Sequence, residues 1–211
     1  MLRIMNKTIY LEKSELLYEG KFTQEQLEKD FEITGGEWHV EDGWLTGYLE
    51  EDAGGLVYSW KHYPGDILME FEGRTVPPYD NDLNFTFCAN GWDAEKNDAK
   101  ESYIAGLSGW WTGKTGVERA PEYKLQAMSG LHDLVPGKTY RIHAGRVGDW
   151  VFIFIDGKLA VEMQDTDPIA FGRVGFGVYA CKAQFRNFKL YRPYSEEFKT
   201  SYKEIHQKSW K

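Results

Sequence analysis

Four residues in the middle of the chain, Tyr103, Arg119, Glu122 and His132, carry the side chains that proton-transfer chemistry uses. Elimination beside a carboxylate needs a cation or amide to neutralise that carboxylate and acidify the adjacent C–H. It also needs a base such as His or Tyr, and an acid for the leaving oxygen. Arg119, His132 and Tyr103 have those types, and Lys124 or Gln126 could share the neutralising role. Hydrolysis through a carboxyl pair needs two such groups at a set separation. Glu122 is one; Glu70 and Glu72 share a strand face, but one expected on the outer sheet. His143 alternates with apolar Ile142, so it too is expected to reach a groove, ranked after His132. For each histidine the plain alternative is a hydrogen-bonded structural or surface residue, which is the commoner fate.

Around these stand residues suited to holding a polyhydroxylated ligand. Period-two alternation puts Leu83, Phe85 and Phe87 in a core and leaves Asn84, Thr86 and Cys88 on the open face. The same rule makes Tyr123, Leu125 and Ala127 core and turns Glu122, Lys124 and Gln126 outward together. Such a row donates and accepts hydrogen bonds; its alternative is a solvated face with cross-strand charge pairs. Trp110 and Trp111 are adjacent in a strand, so they point to opposite faces; at most one fills the core and the other is exposed or loop-covered. Trp110 is therefore a stacking platform with one N–H to donate, and Trp92 in the preceding loop is a second wall; the alternative packs both under loops.

Cofactor chemistry finds no support. Asp80-Asn81-Asp82 is rich in oxygen but lacks the spacing and glycine of a calcium loop, and turn chemistry accounts for it. No His-x-His, Cys-x-x-Cys, phosphate loop or nucleophile elbow is present. Neither a metal nor a cofactor is expected.

The elements that must position these residues are strands. The segments 139–146, 150–162, 172–179 and 183–190 are closely spaced, leaving no room for crossover helices, so the sheet is antiparallel. Gly148-Asp149 and Asp156-Gly157 mark hairpins, and Asp42-Gly43 joins two strands that carry Trp38 and Trp44. A sheet of that length must cover its apolar face with a second one. Thr23 caps a one- or two-turn helix over 24–30, and 8–18 suits an edge strand. Ser195-Glu196-Glu197 reads as a helix start, with Phe198, Tyr202 and Ile205 on one face. The expectation is an all-β, two-sheet antiparallel sandwich over residues 1–194 with a C-terminal helical tail, 195–211, that packs back or joins a homo-oligomer.

The 211 residues suit one domain with a full core. Net charge is −8, which argues against a nucleic-acid partner. No apolar stretch is long enough to span a membrane, and the N-terminus lacks the pattern of a signal peptide, so a cytoplasmic setting is expected. Cys88 and Cys181 sit in apolar surroundings and read as reduced core thiols. Aromatic residues make up 16% of the chain, which suits strands and sugar-binding faces alike.

The segments 36–45, 63–72, 172–176 and 185–188 together resemble the concanavalin A-like lectin/glucanase sandwiches, over about Tyr18 to Tyr191. Among these, Glu118-Arg119-Ala120 and Ser129-Gly130-Leu131-His132 are similar to the YesU-like bacterial jelly-roll proteins of sugar-utilisation loci, with a looser likeness to 3-keto-disaccharide hydrolase-like proteins. The resemblance implies a jelly roll and a glycan context, and supplies no reaction. The alternating Glu-x-Asp-x-Glu of the glucanase branch is absent, which argues against ordinary retaining endoglucanase activity. The expected function is cleavage of an oligosaccharide or glycoside, by hydrolysis or elimination, in plant-polysaccharide use. Two rivals remain: a non-catalytic sugar-binding module, and a structural or partner-docking subunit.

Overall fold

The computed structural model describes residues 1–50, 55–109, 113–130 and 132–197. Two antiparallel sheets carry nearly all of it. The nine-stranded sheet runs in the order Leu2–Ile4, Lys7–Gly20, Cys181–Glu197, Ile67–Thr75, Tyr140–Val147, Trp150–Ile155, Lys158–Gln164. Trp44–Leu49 joins it beside the Cys181 end of the long strand and carries Glu37–Glu41 with it. The eight-stranded sheet runs Lys124–Ser129, Thr115–Ala120, Ser102–Leu107, Leu83–Ala89, Phe171–Val178, Gly55–Ser59, Phe31–Ile33, with Tyr63–Pro64 beside Phe171–Val178.

The expected hairpins form where the turn residues demand them. Asp42-Gly43 and Asp156-Gly157 each have both φ values positive (51° and 75°; 50° and 78°), the geometry that matches strand twist in a two-residue loop. Helix Gln24–Asp30 is capped as its sequence implies: Thr23 Oγ1 accepts from the Gln26 N–H at 3.1 Å.

The core lies between the sheets and is aromatic at its centre. Phe71 and Phe185 of the nine-stranded sheet meet Phe85 and Phe176 of the other, with Phe176 stacked on Phe185 at 4.4 Å and Phe71 edge-on to Phe85 at 5.1 Å. Cys88 and Cys181 are buried free thiols, as expected. Cys88 belongs to this core and not to the open face, because the chain there takes a positive φ (51°) at a register shift and interrupts the alternation.

One expectation about the C-terminus is corrected. The strand from Cys181 does not stop for a helix at Ser195; it runs to Glu197, with Ser195, Glu196 and Glu197 opposite Ile9, Thr8 and Lys7. Local helix signals there lose to a ladder of backbone hydrogen bonds with the N-terminal strand. The expected helical face of Phe198, Tyr202 and Ile205 lies outside the described residues.

Candidate functional site

Alternation sorts the side chains of the eight-stranded sheet into two faces. Leu83, Phe85 and Phe87, with Ala105, Leu107, Val117, Val57 and Phe176, point at the other sheet. Their neighbours point away. On that outward face one row crosses five strands by register: Glu118, Ile104, Thr86, Gly175 and Tyr58, ending at Glu32 on a sixth. Beside it runs a row of Gly116, Gly106, Asn84, Gly177 and Leu56. Gly106 is held to glycine by close approach, since a Cβ there would lie 2.2 Å from Asn84 Oδ1.

Glu118 is the unusual residue. It is 4% exposed, and its carboxyl makes no hydrogen bond or ion pair among the described residues. Burial pushes its pKa from the ordinary 4.5 up to about 7, and the negative charge of Asp82 adds to this. Asp82 is also buried, and its carboxylate accepts from the Nδ2 atoms of Asn81 and Asn84, both at 2.8 Å. Burial raises the Asp82 pKa while those two donors oppose the rise. Asn84 Oδ1 and Tyr58 Oη are buried without hydrogen-bond partners among the described residues. The face therefore holds an uncommitted carboxyl, an amide oxygen and a phenol.

A short hairpin, Trp92–Asp93 against Asp98–Ala99, supplies a wall. Trp92, Ile104 and Tyr123 pack on Leu56, Tyr58, Ala89, Ala99 and Ala120. Tyr123 Oη donates to Asp98 Oδ1, and burial followed by that bond raises the phenol's pKa.

Of the residues singled out from sequence, Asn84 and Trp92 lie on this face. Tyr103 and Arg119 are paired neighbours but carry the opposite parity. Tyr103 is fully buried; its Oη donates to Asp165 Oδ2 at 2.6 Å and accepts from the Ile169 N–H at 3.2 Å. Burial, with Asp165 next, raises its pKa, away from that of a base at neutral pH. Arg119 pairs with Glu101 at 2.5 Å and Asp165 at 3.2 Å, and donates to the Asp167 carbonyl at 2.9 Å. Together they latch segment 165–169 onto the sheet.

The outward row of Glu122, Lys124 and Gln126 does not form. The register shifts between Val117 and Glu118, so Ala127 pairs with Val117 toward the core while Leu125 pairs with Glu118 and is exposed. This bulge reverses the parity of everything before it. Lys124 then falls opposite Arg119, Gln126 is the extra residue and donates to the Lys124 carbonyl at 2.7 Å, and Glu122 sits in the preceding turn. Tyr123, expected in the core, packs outside it.

His132 is half-buried, and burial lowers its pKa; the charges acting on it are Asp156, Lys158 and Lys138, at the edge hairpin of the nine-stranded sheet. His143 faces outward from the nine-stranded sheet instead of entering a groove on the other, opposite Glu70 at 3.7 Å. Alternation with Ile142 gives the outward aim alone, because parity cannot say to which sheet a strand belongs. Trp110 lies outside the described residues. A depression of about 640 Å³ also lies on the nine-stranded sheet's outward face, but most of its charges meet one another: Arg186 with Glu72 at 2.7 Å, Lys189 with Glu19 at 3.6 Å, and Arg141 with Glu70.

Sequence reasoning about catalytic side chains passed over Glu118, Asp82 and Tyr58. A signal existed at Glu118: its same-face neighbours, Gly116 and Ala120, are small, which clears space around one carboxyl.

No family model matches the chain, and no curated protein matches its sequence. Solved structures do match its fold. A carbohydrate binding module, CBM66, from Bacillus subtilis superposes with a TM-score of 0.65 at 17% identity, over 77% of this chain and 95% of its own. A Bacillus subtilis protein with a galectin-like fold gives 0.69 at 15% identity, over 85% and 96%. A prokaryotic β-1,3-1,4-glucanase (lichenase) derived from a mouse hindgut metagenome gives 0.56 at 9% identity, over 90% and 100%. These likenesses show the fold alone, a two-sheet jelly-roll sandwich.

Proposed function

We propose that the outward face of the eight-stranded sheet binds and cleaves an oligosaccharide or glycoside, with Glu118 as the proton donor. The observation that carries this reading is the buried carboxyl, without a hydrogen-bond or ion-pair partner among the described residues, whose pKa burial raises to about 7. A group half-protonated at neutral pH can hand a proton to a leaving oxygen, and the apolar surroundings that raise its pKa also strengthen its hydrogen bond to that oxygen. Trp92, half-buried at this face, offers a ring, while Asn84 Oδ1 and Tyr58 Oη lie buried beside it without partners among the described residues. Asp82, whose charge acts on Glu118, is the candidate for a second carboxyl. The sugar-related names of the structural neighbours support the ligand class, and the narrower likeness to the YesU-like group belongs to the same proposal. Fold alone fixes no reaction.

A second reading, binding without cleavage, has one observation in its favour. Asp82 is already engaged by two amide donors, which leaves Glu118 without a free partner carboxylate among the described residues. Wild type and Glu118→Gln, incubated with a panel of neutral and uronate-containing oligosaccharides, separate the two. Loss of an acid is expected to lower turnover by about 10²–10⁴-fold, with affinity by calorimetry changed only a few-fold. New reducing ends mark hydrolysis; ultraviolet absorbance of an unsaturated uronate marks elimination. Binding with no product from any member of the panel would establish the second reading. Absence of binding would end both.

A further inference from the structure

At one end of the same outward face stand two large aromatics left half open among the described residues: Trp60 is 50% exposed and Phe171 is 51% exposed. Phe171 and Arg173 share the parity of Gly175, and Trp60 that of Tyr58, so all three belong to the outward surface. They are linked into a row of flat groups. The Arg173 guanidinium lies 5.6 Å from the centre of the Trp60 ring, its Nε donates to His62 Nε2 at 3.0 Å, and the His62 ring lies 6.4 Å from that of Phe171.

The row is built in advance. The Trp60 backbone N–H donates to the Asp30 carbonyl at 2.8 Å, the Gly65 backbone N–H to the Ala170 carbonyl at 3.0 Å, and Phe171 pairs with Pro64. Glu32 already meets the charge of Arg173. A second anion is therefore not called for, while the rings remain open for the C–H face of a sugar. Exposed rings held in place, beside a polar fork, are what stacking of a neutral pyranose requires.

We propose that Trp60, His62, Phe171 and Arg173 form a stacking subsite for a neutral sugar ring, remote from Glu118 on the same ligand. This rests on the carbohydrate reading of that face and adds the size of the ligand. Three interstrand steps separate Glu118 from the Phe171–Val178 strand, about 14 Å, and Phe171 lies four residues along from Gly175, about 13 Å more at right angles. The two ends are on the order of 20 Å apart, beyond the reach of a single sugar ring. A ligand that reaches both ends passes around the Trp92–Asp93 hairpin, whose cluster covers Tyr58 and Ala89 between them, and is therefore a chain of several units.

The full chain is screened on an immobilised glycan array, and any glycan it retains is taken as disaccharide and hexasaccharide into calorimetry against wild type, Trp60→Ala, Phe171→Ala and Glu118→Gln. Wild type is expected to hold the hexasaccharide at least tenfold more tightly. Trp60→Ala and Phe171→Ala each lower hexasaccharide affinity about tenfold and leave the disaccharide unchanged. Both side chains are exposed, so melting temperatures stay put and confirm folding. Unchanged hexasaccharide affinity in both variants overturns the subsite while leaving the Glu118 reading intact. Loss of a dimer in light scattering with unchanged affinity assigns the patch to subunit contact and also overturns it. If no glycan is retained, both readings fall together.

Discussion

A carboxyl that titrates near neutrality leaves a mark on stability as well as on chemistry. The folded-state pKa of Glu118, about 7, stands above its ordinary 4.5, so the folded protein holds one more proton than the unfolded chain between those values. Stability then falls as pH rises from about 4.5 to about 7 and levels off above, because the ionised form is the one that burial penalises. Glu118→Gln keeps the shape and removes the charge. Denaturant melts should therefore show the variant equal to wild type near pH 4 and more stable at pH 8, by something on the order of 2–3 kcal/mol. Parallel pH profiles for the two proteins would mean that solvent or a partner reaches Glu118 freely. A stabilising substitution that abolishes activity would also fit a strained functional residue.

At the scale of elements, legibility followed local chemistry. The Asp-Gly turns at 42–43 and 156–157 could be read because the dipeptide itself prefers the required φ values, and the Thr23 cap for the same kind of reason. The bulge opposite Glu118 could not, because an inserted residue changes no composition while it reverses a face. Neither could the pairing that carries the strand past Ser195, whose partners lie at the other end of the chain. Glu70 shows how such long-range pairing is secured. From the Ile67–Thr75 strand it faces His143 and Arg141 on one neighbour and accepts from Tyr191 Oη at 3.2 Å on the other. His143, then Arg141, hold its pKa down to about 2. Here the sign is opposite to that of Glu118: a depressed pKa gives stability that is present above about 4.5 and lost as pH falls toward 2. Glu70→Gln should thus lower stability by about 1–2 kcal/mol at pH 7, and its curve should meet that of wild type near pH 2. A constant gap down to that pH would show that packing, not charge, is what the substitution removed.

The molecule as a whole has two apolar clusters that share the nine-stranded sheet. Val151, Ile153 and Ile155 face the main core, while Phe152 and Phe154 face a smaller cluster with Leu2, Ile4, Ile9, Leu68 and Val147. This explains why the sequence from Val151 to Ile155 is apolar without alternation: the strand is covered on both sides, by the second sheet and by the N-terminal ribbon. The continuous run was legible, but not the identity of its cover. The candidate site lies beyond the main core, on the far face of the other sheet, so the ribbon should contribute stability without touching function. Ile4, 2% exposed, offers the test. Ile4→Ala is expected to lower unfolding free energy by about 2–4 kcal/mol, measured by urea melts, and to leave ligand affinity and turnover at the opposite face unchanged. Coupling between the two would show up as a loss of affinity in a protein that is still fully folded. It would mean that the sandwich transmits strain from its ribbon through two sheets, which close packing permits only if the core has a second arrangement available. The interlocked Phe71, Phe85, Phe176 and Phe185 rings argue for a single one.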